Sequence, residues 1–185
     1  APLLALGNVL LRITYGLVIL MACIYTSKSY RDLKLLGILG IVNFVVFLFY
    51  SHSEFASIIN PMVTLLFFGF VFTRLMQYVF SPKAVTINDV YALSAGYIII
   101  GIIAAPFFTL ANAQLDDAFS ISQAASFSDL LYFSYITLTG VGYGDITPTH
   151  PISKSLSLIL VIIGQLYTAI LVGIVIGKYL AAGEG

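Results

Sequence analysis

Charge is the scarcest commodity in this sequence: only 9% of its 185 residues are Asp, Glu, Lys or Arg. A soluble domain carries about 25%, and a chain of this size must still cover itself with polar surface. With 60% hydrophobic residues and a mean hydropathy of +1.04, the shortage excludes a water-soluble globule. Eight basic residues balance eight acidic ones, leaving no basic footprint for nucleic acid. The single cysteine, Cys23, excludes an intrachain disulfide or a cysteine metal cluster; inside its apolar run it reads as a small buried side chain. No run of arginines at every third position occurs, which excludes a voltage sensor of the arginine-rich kind. GxSxG, HExxH and CxxC are all missing and no span holds an acidic pair, so nothing supports an enzyme.

What the sequence has instead is long apolar runs. A helix needs ~20 such residues to cross a bilayer. Five runs, broadly 3–26, 33–50, 60–80, 89–111 and 152–181, predict an all-α protein with five spans. Asn60-Pro61 suits a helix start, because proline is welcome at a first helical position. Thr86 to Asp89 resembles a capping box with aspartate in the glutamate role, and Pro106 is placed to bend the fourth span. Lys28, Arg31, Lys34, Arg74, Lys83 and Lys178 fall on one side of these spans; Glu54, Asp116, Asp117, Asp129 and Asp145 fall on the other with Lys154. The positive-inside rule puts the first set and the C-terminus in the cytoplasm and Ala1 outside, unless a further segment precedes it. Arg12, near the middle of the first run, costs ~2.5–3.5 kcal/mol if it is buried there. Either residues 1–11 are interfacial or re-entrant, or Arg12 pairs with a carbonyl or headgroup. The sequence begins with Ala1 rather than methionine, as a trimmed or processed chain does, and its first run lacks the small-x-small site of a signal peptide.

One stretch stands apart. Residues 112–126 are polar, and Ser126 with Asp129 gives an S-x-x-D start to the apolar segment Phe127 to Leu138. That segment is too short to span, so it is expected to be re-entrant. It runs into TLTGVGYGDITP, Thr137 to Pro148. Non-helical backbone at membrane depth is tolerated only where it is buried in protein or lines a water-filled path, so this placement implies a pathway.

Gly142-Tyr-Gly-Asp-Ile-Thr-Pro148 and Ile163-Gly-Gln-Leu-Tyr167, with a half-helix before and a long span after, resemble the pore domain of tetrameric potassium channels, and prokaryotic members in particular. The resemblance covers residues 86–181. It implies a pore domain at 86–185 preceded by an N-terminal membrane region at 1–85 holding about three spans. It also implies a homotetramer in a bilayer, since one chain supplies a quarter of the filter. The implied filter is Thr139, Gly140, Val141, Gly142, Tyr143, Gly144 and Asp145. Carbonyls of Gly140, Val141, Gly142 and Tyr143 would hold potassium ions in place of their water shell, and no other cofactor is implied. Gly142 and Gly144 suit a backbone that residues with a Cβ resist. Tyr143 is expected to point back among the pore-helix aromatics Tyr132, Phe133 and Tyr135 and brace the loop, while Asp145 caps the mouth. The half-helix turns its negative end toward the cavity.

Two departures matter. The family's T-T-V or T-T-L is here Thr139-Gly140-Val141, so the innermost ion site loses a hydroxyl and selectivity over sodium comes into question. Ile136 stands where some members carry a glutamate paired to the filter aspartate; Asp145 then needs another partner, the Tyr132 hydroxyl being one. In the inner helix, Gly164 occupies the position of the gating hinge or is simply a close-packing glycine. Thr168, Val172, Ile176 and Leu180 fall on one face with Gln165 beside it. Thr168 would line the cavity, and the apolar residues would form a throat able to close by dewetting. Gly173-x-x-x-Gly177 is expected to let helices approach closely. His52 with Glu54, and His150 beyond the filter, read as solvated loop residues. After Leu180 only AAGEG remains, so no ligand-binding domain is expected there. The leading expectation is a potassium-selective channel gated at its inner helices. The rivals are a weakly selective cation channel and a nonconducting subunit, with an unknown partner subunit or lipid as regulator.

Overall fold

The computed structural model describes residues 38, 40–42, 45, 54–79, 87–121 and 125–183. The first two expected spans, with Arg12 and Cys23, lie outside the described residues, apart from five helical positions between 38 and 45. The described elements run α1 (Glu54–Val79), α2 (Ile87–Gln114), β1 (Phe119–Ser120), α3 (Phe127–Leu138), β2 (Thr147–Pro148) and α4 (Pro151–Gly183). Within them Pro61–Val79, Asn88–Gln114 and Pro151–Ile174 are long and apolar enough to cross a membrane. The chain divides into two compact units, Ala1–Val71 and Phe72–Gly185. In the first, Phe67 and Phe68 are fully buried and meet edge to face at 4.9 Å.

Two expectations need correcting. α1 does not begin at Asn60-Pro61; it starts at Glu54 and carries Pro61 inside it. Proline removes one N–H and crowds a carbonyl one turn back, a cost that membrane helices absorb where local adjustments re-satisfy the freed backbone. The polar stretch after α2 is also more than loop. Its β1 pairs antiparallel with β2, Phe119 opposite Pro148 and Ser120 opposite Thr147. At the turn before it Asp117 is left-handed, with φ of 50°, a conformation aspartate tolerates better than most residues. α2, in contrast, continues unbroken through Pro106.

α3 starts as its sequence dictates. Ser126 is the N-cap: its hydroxyl accepts from the Asp129 amide at 3.3 Å, and the Asp129 carboxylate accepts from the Ser126 amide at 2.9 Å. Behind it lies the core of the second unit. Phe108, Phe119 and Phe133 form a closed set of edge-to-face contacts with ring centroids 5.0 to 5.8 Å apart, each pair worth about 0.5–1.5 kcal/mol beyond the area it buries. Leu130 and Leu138 are buried at either end of α3. The short helix is therefore held by α2 on one side and α4 on the other.

Candidate functional site

Three glycines at every second position, Gly140, Gly142 and Gly144, are left-handed, with φ of 75°, 51° and 81°. Left-handed backbone costs residues with a Cβ about 1–2 kcal/mol each, so glycine is the residue for such a run. A left-handed residue at alternate positions cancels the alternation of an ordinary strand and lets successive carbonyls face one way. Thr139 to Asp145 are all exposed in the single chain, Tyr143 at 72%.

The run is anchored to the end of α3. The last carbonyls of a helix lack intrahelical partners, and here three of them find one nearby. The Ile136 carbonyl accepts from the Gly142 amide at 3.1 Å and the Thr137 carbonyl from the Gly140 amide at 3.0 Å. The Leu138 carbonyl accepts from the Tyr97 hydroxyl at 3.3 Å. Thr139 closes the helix, its hydroxyl donating to the Tyr135 carbonyl at 2.7 Å. At the far end the β1–β2 pair takes over. The Thr149 amide donates to the Ala118 carbonyl at 3.1 Å, and its hydroxyl donates to the Asp117 carbonyl. A segment of glycines is thus held at both ends by hydrogen bonds that do not depend on its own side chains.

The aromatic residues of α3 differ in their surroundings. Phe133 is buried against Phe108 and Phe119, and the Tyr135 hydroxyl donates to the Ile98 carbonyl at 2.8 Å. Tyr143 is exposed in the single chain and acts electrostatically on Tyr132. Tyr132 remains near the segment. Its hydroxyl bonds to Asp145, and that bond, then desolvation and the carboxylate's charge, raises the phenol above its usual range.

On α4, Gly164 is buried, and a Cβ there would stand 2.1 Å from the Leu138 carbonyl oxygen. This glycine is a close-packing one whatever else it does. Thr168 turns its hydroxyl back to the Gly164 carbonyl at 2.9 Å. Val172 and Ile176 are exposed, and nothing lies within 4 Å of a Cβ at Gly173 or Gly177. Leu180 falls within α4, but its side chain lies outside the described residues. His150 serves the helix start: its Nδ1 accepts from the Ile152 amide at 3.2 Å. Among the described residues, no group of three or more His, Cys, Asp or Glu is placed to hold a metal ion.

Residues 95–181 match the family model described as ion channel. The chain is 37% identical over 68 residues to two-pore potassium channel 4 of Arabidopsis thaliana, a stretch covering 37% of this chain and 24% of the relative. It is 30% identical over 84 residues to two-pore potassium channel 2 of the same plant, covering 45% of this chain and 17% of the relative. The matched stretch therefore spans no more than about a quarter of either curated relative. No solved structure matches. The second unit carries the segment that matches the ion-channel model. Through it the chain is similar to potassium channels.

Sequence reasoning passed over the tyrosines that tie the spans together. Tyr167 of α4 donates to the Leu93 carbonyl at 2.8 Å and packs against Tyr97 at 5.8 Å between ring centroids. A Cβ at Gly96 would stand 2.3 Å from the Tyr167 hydroxyl oxygen. Ser134, fully buried, donates toward the Gly101 carbonyl at 2.8 Å, and a Cβ at Gly101 would be 2.4 Å from the Tyr135 ring. The signal was available: a phenol within an apolar run must find a partner for its O–H, and two glycines in the facing helix mark where a ring can enter.

Proposed function

We propose that the chain forms a potassium-selective channel, four copies meeting around one axis with Thr139–Asp145 as the filter. Carbonyls of Gly140, Val141, Gly142 and Tyr143 would replace the hydration shell of a dehydrated ion. Thr168, Val172, Ile176 and Leu180 would line the cavity and gate below it. The observation that carries this reading is the alternating left-handed backbone at Gly140, Gly142 and Gly144. It sits between a capped half-helix and a full-length span in a segment similar to potassium channels. The exposure of every residue of that segment supports assembly, because one chain alone leaves the loop facing solvent. The orientation follows from loop charge, with the filter outward and the C-terminus cytoplasmic.

Gly140 favours a second reading, a weakly selective cation channel. It keeps the carbonyl and loses the hydroxyl that threonine would add. Its φ of 75° also means that threonine cannot simply be restored, since a β-branched residue is a genuine outlier in that region. Purified protein in liposomes, assayed for potassium and sodium flux, separates the readings. Selective potassium flux is expected from the native chain, and impaired flux from Gly140→Thr. Equal flux of both ions from the native chain would establish the weakly selective reading. Absence of flux in a variant opened at Ile176→Ala would favour the nonconducting subunit.

A further inference from the structure

Gly140 removes a polar group from the inner end of the segment, and the structure puts another beside the gap. A Cβ at Gly140 would have a single heavy atom within 4 Å, its chain neighbours aside: Nε2 of Gln165, at 3.2 Å. The height of Gln165 along the segment is fixed by its neighbour. Gly164 packs on the Leu138 carbonyl so closely that α4 has no room to slide there. The amide is exposed and has no hydrogen bond to another described residue. Thr168, one turn on, spends its hydroxyl proton on the Gly164 carbonyl. The surrounding α4 residues Ile162, Ile163, Leu166 and Ile170 are apolar.

An amide differs from a hydroxyl in what it offers. Its carbonyl oxygen accepts through two lone pairs and its NH₂ donates twice, and a half-turn about the last torsion exchanges the two ends. With several rotatable bonds it can follow an ion or trade places with a water. We propose that the Gln165 amide supplies the ligand that the filter lacks at Gly140, holding a partly hydrated monovalent cation at the inner mouth. Four such amides, one per chain, would ring the entrance. The proposal rests on the channel reading above. It makes Gly140 and Gln165 a matched pair, the absent side chain of one leaving room for the long side chain of the other.

The test uses the full chain in detergent and reads thermal stabilisation by KCl against NaCl, which reports ion binding by mass action whether or not the pore is open. Potassium flux in liposomes runs alongside. Gln165→Leu should need about tenfold more KCl for the same stabilisation, the scale of one lost contact to a charged group. Gln165→Glu, which keeps an oxygen at the same reach, should retain the native response. Gln165→Met serves if the leucine variant fails to elute as the native protein does. An unchanged response in the apolar variants overturns the proposal, and so does an equal loss with Gln165→Glu, which would mean that shape rather than a ligand oxygen matters. If the native chain shows neither ion-specific stabilisation nor flux, the channel reading itself falls, and this inference with it.

Discussion

α2 and α4 are similar in length and apolar character, yet they are used in opposite ways. Half of the most apolar stretch of α2 is buried within the chain, against 11% for α4. α2 is notched: Gly96 admits the Tyr167 hydroxyl, Gly101 admits the Tyr135 ring, and Ala92, Ala104 and Ala105 are buried to either side of them. α4 makes its close approach at Gly164 and shows Leu158, Ile159, Ile162, Ile163, Leu166 and Ile170 to the outside. An apolar residue in a membrane helix is thus no sign of a folded core. Lipid tails are as apolar as leucine, and close packing rather than hydrophobicity distinguishes an interface. The small residues Gly96, Gly101 and Gly164 mark where these helices pack closely, and the exposed bulky residues of α4 are left for lipid or for other copies.

The sharpest test of that contrast is at the point where α4 presses on the backbone of α3. Gly164→Val should drive α4 off the end of α3, because its Cβ begins 2.1 Å from a backbone oxygen. A loss at or above the ~1–3 kcal/mol typical of overpacking is expected, read as a lower thermal midpoint in detergent. Gly101→Ala should be next, at ~1–3 kcal/mol, since the Tyr135 ring rather than backbone must give way. Gly173→Ala is the converse case. Among the described residues nothing lies within 4 Å of a Cβ there, so alanine's better helix propensity should stabilise the chain by ~0.5–1 kcal/mol, whereas a loss of stability would point to a neighbour packed on that face.

Smaller effects come from hydrogen bonds at the ends of α3. Ser126→Ala removes the hydroxyl half of a reciprocal cap and should cost ~1 kcal/mol. Tyr132→Phe removes the bond to Asp145. Because the phenol's pKa is raised above its ordinary 10.0, any stability this bond gives is fully present below pH 10.0 and is lost as pH rises through the higher folded value. Tyrosinate absorbance in an alkaline titration should therefore show one late-titrating phenol fewer in Asp145→Asn than in the native chain. No change with Asp145→Asn would remove the carboxylate as the cause.

The candidate site was legible to the extent that its chemistry is local. A capping box is a pattern of four residues, and Ser126 with Asp129 displays it in both sequence and structure. Glycines at alternate positions declare a backbone other residues avoid, so Gly140, Gly142 and Gly144 could be singled out before their φ values were known. Pro61 misled because a favoured position for proline is not an obligatory one.

Apolar run length, the balance of charge and the glycine spacing are properties of the chain itself. They determined by themselves a membrane helix protein with a short helix ahead of a glycine-rich segment, because backbone hydrogen bonding in lipid allows few alternatives. Only the tertiary structure decided that Tyr97 reaches the Leu138 carbonyl, that Tyr167 reaches Leu93, that β1 pairs with β2, and that Gln165 stands over Gly140. Those contacts join residues 25 to 74 positions apart. Their partners are chosen by which side chains fit a given notch, a question of shape that no local pattern encodes.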